Sequence, residues 1–365
     1  MKIKEVINHL EKKFPLSLQE DFDNCGIQCG DKEQEITGVL VCFDLFEEIV
    51  DEAISKKANL IISHHPLIIR NLLKKIEPTG RIGKIIFKAI ENHLVIYSMH
   101  TNIDNGLGGG NDVFAEKLKL KDIAVLSPKL SQFQKIVFYA PEEESANVKD
   151  ALFKIGCGIL GKYENCSYST PGHGTFKPVK GAKPFIGEIN YIEEVEEERV
   201  EMIFPASIQR KVIKTLYQYH PYEEPAFDII RLENPSRDTG LGRVGKLPFP
   251  MDKDEFFNYL KNSLNISRIR FSGKINRQIE KIAICGGGGA SLINDAIASG
   301  ADAYVSGDFK YHDFFIPDNQ MLIVDIGHFE GEHFIKEIIY NEIKENFITF
   351  ASSLSEVEKL KIQYI

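Results

Sequence analysis

Four histidine-bearing segments of this chain each follow an apolar run that is typical of a β-strand. They are Ser63-His64-His65-Pro66, His100-Thr101-Asn102-Ile103-Asp104, Tyr311-His312-Asp313 and His328-Phe329-Glu330-Gly331-Glu332. In parallel α/β folds the loops at the carboxyl ends of strands converge on one crevice, where ligands and metal ions gather. Imidazole and carboxylate together are the ligand set for zinc, iron or manganese. The pattern predicts a metal site, holding two ions and built from both ends of the chain.

His64 and His65 are adjacent, and adjacent side chains on a regular strand point to opposite faces of the sheet. At the end of a strand, where Pro66 turns the chain, both imidazoles can face one crevice and serve neighbouring ions. Paired ions in hydrolytic sites lie about 3.5–4 Å apart. The alternative is one core histidine and one exposed histidine. The three similar segments favour the metal site over that alternative.

His328 and Glu332 lie one turn apart on one face if they open the final helix. Glu332 has two carboxylate oxygens and can bridge two ions. The alternative is an ordinary surface pair, which the preceding apolar strand and Gly327 argue against. Glu330 and His333 project elsewhere on that helix and are not predicted to be ligands.

Asp104 follows His100 by four residues, and we predict that it lies on a loop where it could bind a metal ion directly. Asp104-Asn105-Gly106 is also a good turn sequence, and the two roles are compatible. His100 could bind an ion itself or orient another ligand. His312, with Asp313, could be a proton shuttle or a substrate contact, because a general base must come within hydrogen-bond reach of its proton.

Three further segments have open interpretations. Asp23 and Asn24 could lie on the rim of the same site. The run Gly286 to Gly289 could hold a phosphate with its backbone N–H groups or could form a plain tight turn. Cys25 and Cys29 form a CxxxC pair, but no second Cys/His pair at zinc-finger spacing follows it, so a buried turn is the better interpretation.

The outer parts of the chain alternate apolar strands with helices, which indicates a parallel sheet covered on both faces. Strands are predicted at 39–43, 59–63 and 94–98 near the start, and at 281–285, 303–305 and 321–324 near the end. Asp44 stands where it could cap a helix over 45–57. The fold class is therefore α/β.

The middle of the chain has a different pattern, in which a β-α-β unit occurs twice and suggests an inserted ferredoxin-like α+β domain. The segment from Pro171 to Pro184 would be its irregular excursion, and the acidic run Glu193 to Arg199 suits a solvated hairpin. We predict an N-terminal lobe over 1–130, the insert over 131–237 and a C-terminal lobe over 238–365.

Composition restricts the class of protein. The chain has 365 residues, 43% of them apolar, and a formal net charge of −9. Sequence-independent nucleic-acid binding needs basic surface and is therefore not expected. No apolar run approaches a membrane span, and the N-terminus lacks the apolar core of a signal peptide, so we expect a cytoplasmic protein. Six cysteines do not suggest a disulfide framework.

The chain resembles the GTP cyclohydrolase I type 2 homolog family, also called Nif-three-like dinuclear metal proteins. The middle resembles the PII/CutA-like insert of longer bacterial members through Tyr219 to Ala226, and the departures are Phe22 in place of a Trp and Cys29 in place of a Val. The matching segments in the outer parts are Asp23-Asn24-Cys25-Gly26-Ile27-Gln28, Ser63-His64-His65-Pro66, His100-Thr101-Asn102-Ile103-Asp104, Cys285-Gly286-Gly287-Gly288, Ser306-Gly307-Asp308-Phe309-Lys310-Tyr311-His312-Asp313 and Gly327-His328 to Glu332.

The resemblance implies a Nif-three-like body of two α/β lobes and a hexameric ring with its sites facing an internal cavity. It makes His64, His65, Asp104, His328 and Glu332 the ligands of two divalent cations, with Glu332 shared. Our hypothesis is a metal-dependent hydrolase of a nucleotide or phosphorylated metabolite, with GTP ring opening or phosphoester hydrolysis as the reaction and with His100 or His312 moving protons. Zn²⁺, Fe²⁺ and Mn²⁺ all suit such ligands. The alternative is a non-catalytic metal- or nucleotide-sensing assembly.

Overall fold

The computed structural model describes residues 1–69, 75–130 and 132–358. Ser131, the predicted first residue of the insert, and residues 359–365 of the predicted C-terminal lobe lie outside the described residues. The chain divides into two compact units. One unit combines Met1–Lys129 with Arg237–Ile365, and the other is Leu130–Ser236.

Helices and strands alternate along most of the chain, and the α/β class is confirmed. In the described residues the α-helices are α1 (Ile3–Lys13), α2 (Glu47–Ser55), α3 (Arg81–Glu91), α4 (Thr101–Asn105), α5 (Gly110–Lys117), α6 (Glu142–Phe153), α7 (Gln209–Tyr219), α8 (Lys253–Leu264), α9 (Ile293–Ala298), α10 (His328–Glu332) and α11 (Ile335–Asn346). The strands are β1 (Gly26–Cys29), β2 (Gly38–Cys42), β3 (Leu60–Ser63), β4 (Val95–Ser98), β5 (Lys121–Pro128), β6 (Phe133–Pro141), β7 (Tyr168–Phe176), β8 (Glu193–Pro205), β9 (Phe227–Arg231), β10 (Gly240–Met251), β11 (Arg270–Ser272), β12 (Ile279–Gly288), β13 (Ala303–Gly307), β14 (Leu322–Asp325) and β15 (Ala351–Leu354).

The first sheet has the strand order β1-β4-β3-β2-β15, and its inner strands β2, β3 and β4 are buried at every residue. Successive side chains point to opposite faces. Val39 and Val41 therefore join a core shared with α1 and α11, whereas Leu40 and Cys42 pack against α2 and α3. Burial on both faces explains why these strands read as continuous apolar runs.

The second sheet has the order β11-β14-β13-β12-β10-β5, with β12, β13 and β14 parallel. Alternate residues of these three strands enter the same core as the first sheet, among them Ile284, Val305 and Val324. The two sheets are thus held together by one apolar layer in this unit. None of the helices in the described ranges is long and apolar enough to cross a membrane.

The other unit follows the path β6-α6-β7-β8-α7-β9 and forms an antiparallel sheet of order β7-β8-β6-β9. The acidic run Glu193 to Arg199 lies in the hairpin of β7 and β8. The predicted excursion is partly wrong, because Pro171 to Gly174 belong to β7. Proline has no backbone N–H to donate. Because β7 is an edge strand, Pro171 can lie in it without breaking a hydrogen bond of the sheet.

Arg243 is a buried cation that joins β10 to the start of α5. Its side chain is 2% exposed and is paired with Asp112, with 3.0 Å between Nη2 and Oδ2. Its Nη1 also donates to the carbonyls of Gly240 and Gly242, both at 2.9 Å. The guanidinium is thus fully engaged inside the unit.

We expect Arg243→Met to lower the free energy of unfolding by about 2–4 kcal/mol, because it leaves the partly buried Asp112 carboxylate, 18% exposed, without its cation. Urea denaturation measures the change. Lys246→Met is the matched control on the same strand, since the Lys246–Asp122 pair is 53% and 72% exposed and should contribute little. Equal denaturation midpoints for the two variants would contradict the assignment.

Candidate metal centre

His64 is a fully buried histidine with one free ring nitrogen. It follows the last residue of β3, and its Nδ1 lies 2.8 Å from the carbonyl oxygen of Met99. A carbonyl only accepts, so Nδ1 carries the proton and Nε2 keeps its lone pair. Burial lowers the pKa of His64 to about 4, which keeps the ring neutral. Within the described ranges, Nε2 has no hydrogen-bond partner.

His65 faces the same space as His64 and is held by Asp44. Its Nδ1 lies 2.8 Å from Asp44 Oδ1, and its Nε2 lies 3.1 Å from Glu332 Oε1. Burial alone would lower the pKa of His65, but the hydrogen bonds to Asp44 and Glu332 outweigh it and raise the pKa to about 10. The predicted helix cap is therefore wrong, since the N-cap of α2 is Phe46 and the Asp44 carboxylate orients His65 instead.

His328 and Glu332 are the first and last residues of α10, and their side chains meet across one turn. His328 Nε2 lies 2.5 Å from Glu332 Oε1, and His328 Nδ1 lies 2.8 Å from Asp308 Oδ2. Despite burial, the neighbouring histidines hold the pKa of Glu332 well below its usual range. The predicted final helix is two helices, because α10 ends before α11 begins.

Asp104 lies in the short helix α4, not on a loop as predicted. Its carboxylate is close to both His64 and Glu332, and one oxygen from each carboxylate lies within 4.8 Å of a His64 ring nitrogen. Burial and the charge of Glu332 raise the pKa of Asp104 well above its usual range. A divalent cation between these groups would offset the repulsion between the negative charges of Asp104 and Glu332.

His100 reaches the same cluster from the end of β4. Ligand atoms of His64, His65 and His100 lie within 4.8 Å of one another. His100 Nδ1 lies 2.8 Å from Asp23 Oδ1, and Asp23 also accepts from the Thr101 N–H at 2.9 Å. The sequence suggested that Asp23 could lie on the rim of the site. In the structure it is buried beneath His100.

The cluster has the form of two ligand groups that share Glu332. One group is His65, His328 and Glu332, and the other is His64, Asp104 and Glu332. Glu332 Oε1 faces the first group, while Oε2 lies 3.8 Å from His64 Nε2 in the second. Each of the four imidazoles has Nδ1 fixed by an acceptor, which leaves Nε2 directed inward as in many protein metal sites. The unpartnered Nε2 of His64 and the mixed nitrogen and oxygen donors fit divalent metal ions.

Two other predicted segments lie apart from these ligand groups. His312 is exposed in a short 3-10 helix, Tyr311–Phe315, where its ring packs against Tyr311 and Phe315. None of the potential metal-ligand groups in the described residues contains His312 or Asp313. The thiol of Cys25 donates to Asp23 at 3.1 Å, and burial raises the pKa of Cys25 to about 12.

The glycine run at the end of β12 makes room for Glu332. A Cβ on Gly287 would lie 2.3 Å from Glu332 Oε2, and Gly287 has a φ of +63°. One N–H of the run is already engaged within the fold, because Gly286 N donates to Asn111, and the carbonyl of Gly287 accepts from Ser306. Close approach of Glu332 therefore explains this glycine better than a phosphate cradle does.

We expect Gly287→Ala to displace Glu332 and weaken metal binding at least tenfold, because the new methyl group would overlap Oε2. Competition with a fluorescent chelator measures the affinity. Gly300→Ala is the matched control, since Gly300 has a φ of +71° with nothing within 4 Å of its Cβ position. If both variants bind metal equally well, the clash does not matter and the explanation is wrong.

Asp44 and Asp308 each orient a histidine of the cluster, and neither was predicted from the sequence to do so. Each lies just after the end of a strand: Asp44 is the second residue after β2, and Asp308 is the first residue after β13. Their position after a strand could therefore have marked both aspartates as site residues, since the same position marked the histidines. Each carboxylate holds a histidine through its Nδ1.

Comparison with known proteins places the chain in one family. The sequence profile of the family described as Duf34/NIF3 (NGG1p interacting factor 3) matches residues 1–361. A Bacillus subtilis protein named GTP cyclohydrolase 1 type 2 homolog is 39% identical over 337 residues, which cover 91% of this chain and 89% of that protein. A Staphylococcus aureus protein of the same name is 35% identical over 370 residues and covers both chains completely.

Solved structures show the same similarity. A Bacillus cereus protein described as related to NIF3 has a TM-score of 0.82 and 36% identity, covering 100% of this chain and 99% of its own. A Staphylococcus aureus protein has a TM-score of 0.77 and 31% identity, with the same coverage.

Proposed function

This chain belongs to the Duf34/NIF3 family, and we propose that it is a dinuclear metal protein that hydrolyses a nucleotide or a related phosphorylated metabolite. In this proposal His64, Asp104 and Glu332 would hold one divalent cation. His65, His328 and Glu332 would hold the other. The observation that carries the proposal is the position of Glu332 between two ligand groups.

A centre of two divalent cations is suited to hydrolysis. Paired divalent cations would supply Lewis acidity and would lower the pKa of a bound water toward about 7. Zn²⁺, Fe²⁺ or Mn²⁺ would suit these donors. The chain itself orients the ligands, because Asp44 and Asp308 fix the rings of His65 and His328.

His100 is the candidate for moving a proton at this site. Asp23 holds its Nδ1, so Nε2 faces the space shared with His64 and His65. A proton carrier needs such a fixed ring with one nitrogen within hydrogen-bond reach of the reacting group. His312 stays a prediction for the same role, and its exposed position makes contact with a bound substrate the simpler assignment.

A turnover screen tests the proposal. Metal-loaded protein is incubated with nucleotides and phosphorylated metabolites, and formate and phosphate are assayed separately. Formate from GTP would indicate ring opening, whereas phosphate alone would indicate phosphoester hydrolysis. Glu337→Gln, an exposed change on α11, is the control for Glu332→Gln. Metal-loaded protein that is inert toward the whole panel would favour a sensing role over hydrolysis.

The proposal extends to the assembly and the insert. We propose a homohexamer, which the resemblance to the family implies, and light scattering on purified protein tests it. The strand order β7-β8-β6-β9 with two helices supports a ferredoxin-like fold for the insert.

A further inference from the structure

A second cavity lies entirely within the unit Leu130–Ser236 and has no role in the proposed metal chemistry. Its volume is about 640 Å³, within the range of about 300–1,000 Å³ that is usual for small-molecule sites. It is lined by β7, by Glu197 and Arg199 of β8, by residues between 177 and 185 of the connection 177–192 that joins these strands, and by residues between 222 and 226. Long connections without secondary structure are uncommon and are usually either functional loops or linkers.

The connection that covers this cavity is held in place by hydrogen bonds. Lys183 N donates to Glu223 Oε2 at 2.8 Å, and Asn190 N donates to the carbonyl of Pro178 at 2.7 Å. Pro178 is buried. The cavity therefore has a formed wall rather than an open strand edge.

Aromatic rings form one side of the cavity. The ring centroid of Tyr222 lies 5.8 Å from that of Phe176 and 6.4 Å from that of Phe185. Phe185 is 53% exposed although it lies beside the ring of Tyr222. An aromatic face left open beside other rings suits a flat or cationic ligand, because the π-face is electron-rich.

Glu197 places a carboxylate next to these rings. The hydroxyl of Tyr222 donates to Glu197 Oε1 at 2.7 Å. A Cβ on Gly174 would lie 2.1 Å from Glu197 Oε2, so the glycine is what allows this carboxylate to lie across β7. Among the residues for which the structure gives contacts, no cation pairs with Glu197, whereas its neighbours Glu198 and Glu201 pair with Lys149 and Lys135.

The cations that line the cavity do not neutralise Glu197. Arg199 is paired with Glu201, and the side chains of Lys177 and Lys183 are exposed to solvent. A half-buried carboxylate that no side-chain cation neutralises can pair with a positive group of a ligand. The ligand group that suits Glu197 is therefore a cation.

We propose that this cavity is a binding site for a small aromatic amine, whose ammonium group pairs with Glu197 and whose ring packs on Phe185 and Tyr222. The carboxylate selects the charge of the ligand, and the rings select its flat apolar part. Cation–π attraction to the same rings adds to the ion pair.

Tryptamine is a suitable probe, because the chain contains no Trp and the indole emission of the probe is free of a protein indole background. We expect saturable binding with a Kd of about 1 mM or lower, and no saturable binding of indole-3-propionate, its anionic counterpart. Glu197→Gln should weaken tryptamine binding about tenfold, since the ion pair is lost while the acceptor for Tyr222 remains. Phe185→Ala should also weaken it.

Glu194→Gln is the matched control on β8, because its side chain is 72% exposed and outside the cavity lining. Unchanged circular dichroism and melting of each variant show that the unit is folded. Equal affinity of the wild type and Glu197→Gln would overturn the proposal, as would tighter binding of the anion. Probe binding that weakens as protein concentration rises would show that a second copy of the chain fills the cavity, and would also overturn it.

Discussion

Glu332→Gln is expected to remove at least one of two divalent cations per chain and to abolish metal-dependent turnover. The substitution keeps the shape of the side chain but removes the charge that both ligand groups share. Loss of a partner that only orients a metal ligand weakens binding about 10–100-fold, and loss of the shared ligand itself should exceed that. Elemental analysis of anaerobically purified protein measures the metal content.

Glu337→Gln is the control, because it makes the same chemical change on an exposed position of α11. It should keep the wild-type metal content. A Glu332→Gln protein that still holds two ions per chain would show that this carboxylate is not the bridge, and the shared-ligand account would fail.

His328→Ala and Asp104→Asn should each leave about one ion per chain, because each removes a ligand from a different group. His328 belongs with His65, and Asp104 belongs with His64. Each variant should lose turnover, since two-ion hydrolysis needs both cations. The double variant should hold no stoichiometric metal, which elemental analysis and the turnover assay together determine.

A different result would change the assignment of the ligands. If one of the single variants lost both ions and the other lost none, the two groups would not be independent sites. Thermal unfolding with added metal provides the check on folding, because an ion that binds only the native state raises the midpoint.

The candidate ligand residues could be picked out from the sequence because their signal is local. His64, His65, His100 and His328 follow apolar strands, and carboxyl ends of parallel strands meet at one edge of a sheet. The structure brings these histidines together with Asp104 and Glu332, although they come from both ends of the chain. Their pairing into two groups around Glu332 depends on side-chain distances that spacing does not contain.

The groups that orient the ligands could not be predicted, because their partners are distant in sequence. Asp44 before an amphipathic helix reads as an N-cap, yet its carboxylate meets a histidine that arrives from β3. Gly287 reads as a turn or phosphate-binding residue, and only the position of Glu332 explains it.

The fold shows the same division between local and distant signals. The buried strands β2, β3 and β4 could be predicted from their apolar runs. The strand β15 could not, because Ala351, Ser352 and Ser353 carry no apolar pattern and pair with β2 at the edge of the sheet. Pro171 marked a loop in sequence but lies on an edge strand.

The most direct test of the central claim is an anomalous diffraction map of crystals of the metal-loaded protein. The account predicts two peaks about 3.5–4 Å apart, one on each side of the Glu332 carboxylate. One peak should adjoin His64 and Asp104, and the other His65 and His328. A map with no peak at Glu332, or with a single peak on crystals that hold two ions per chain, would contradict it.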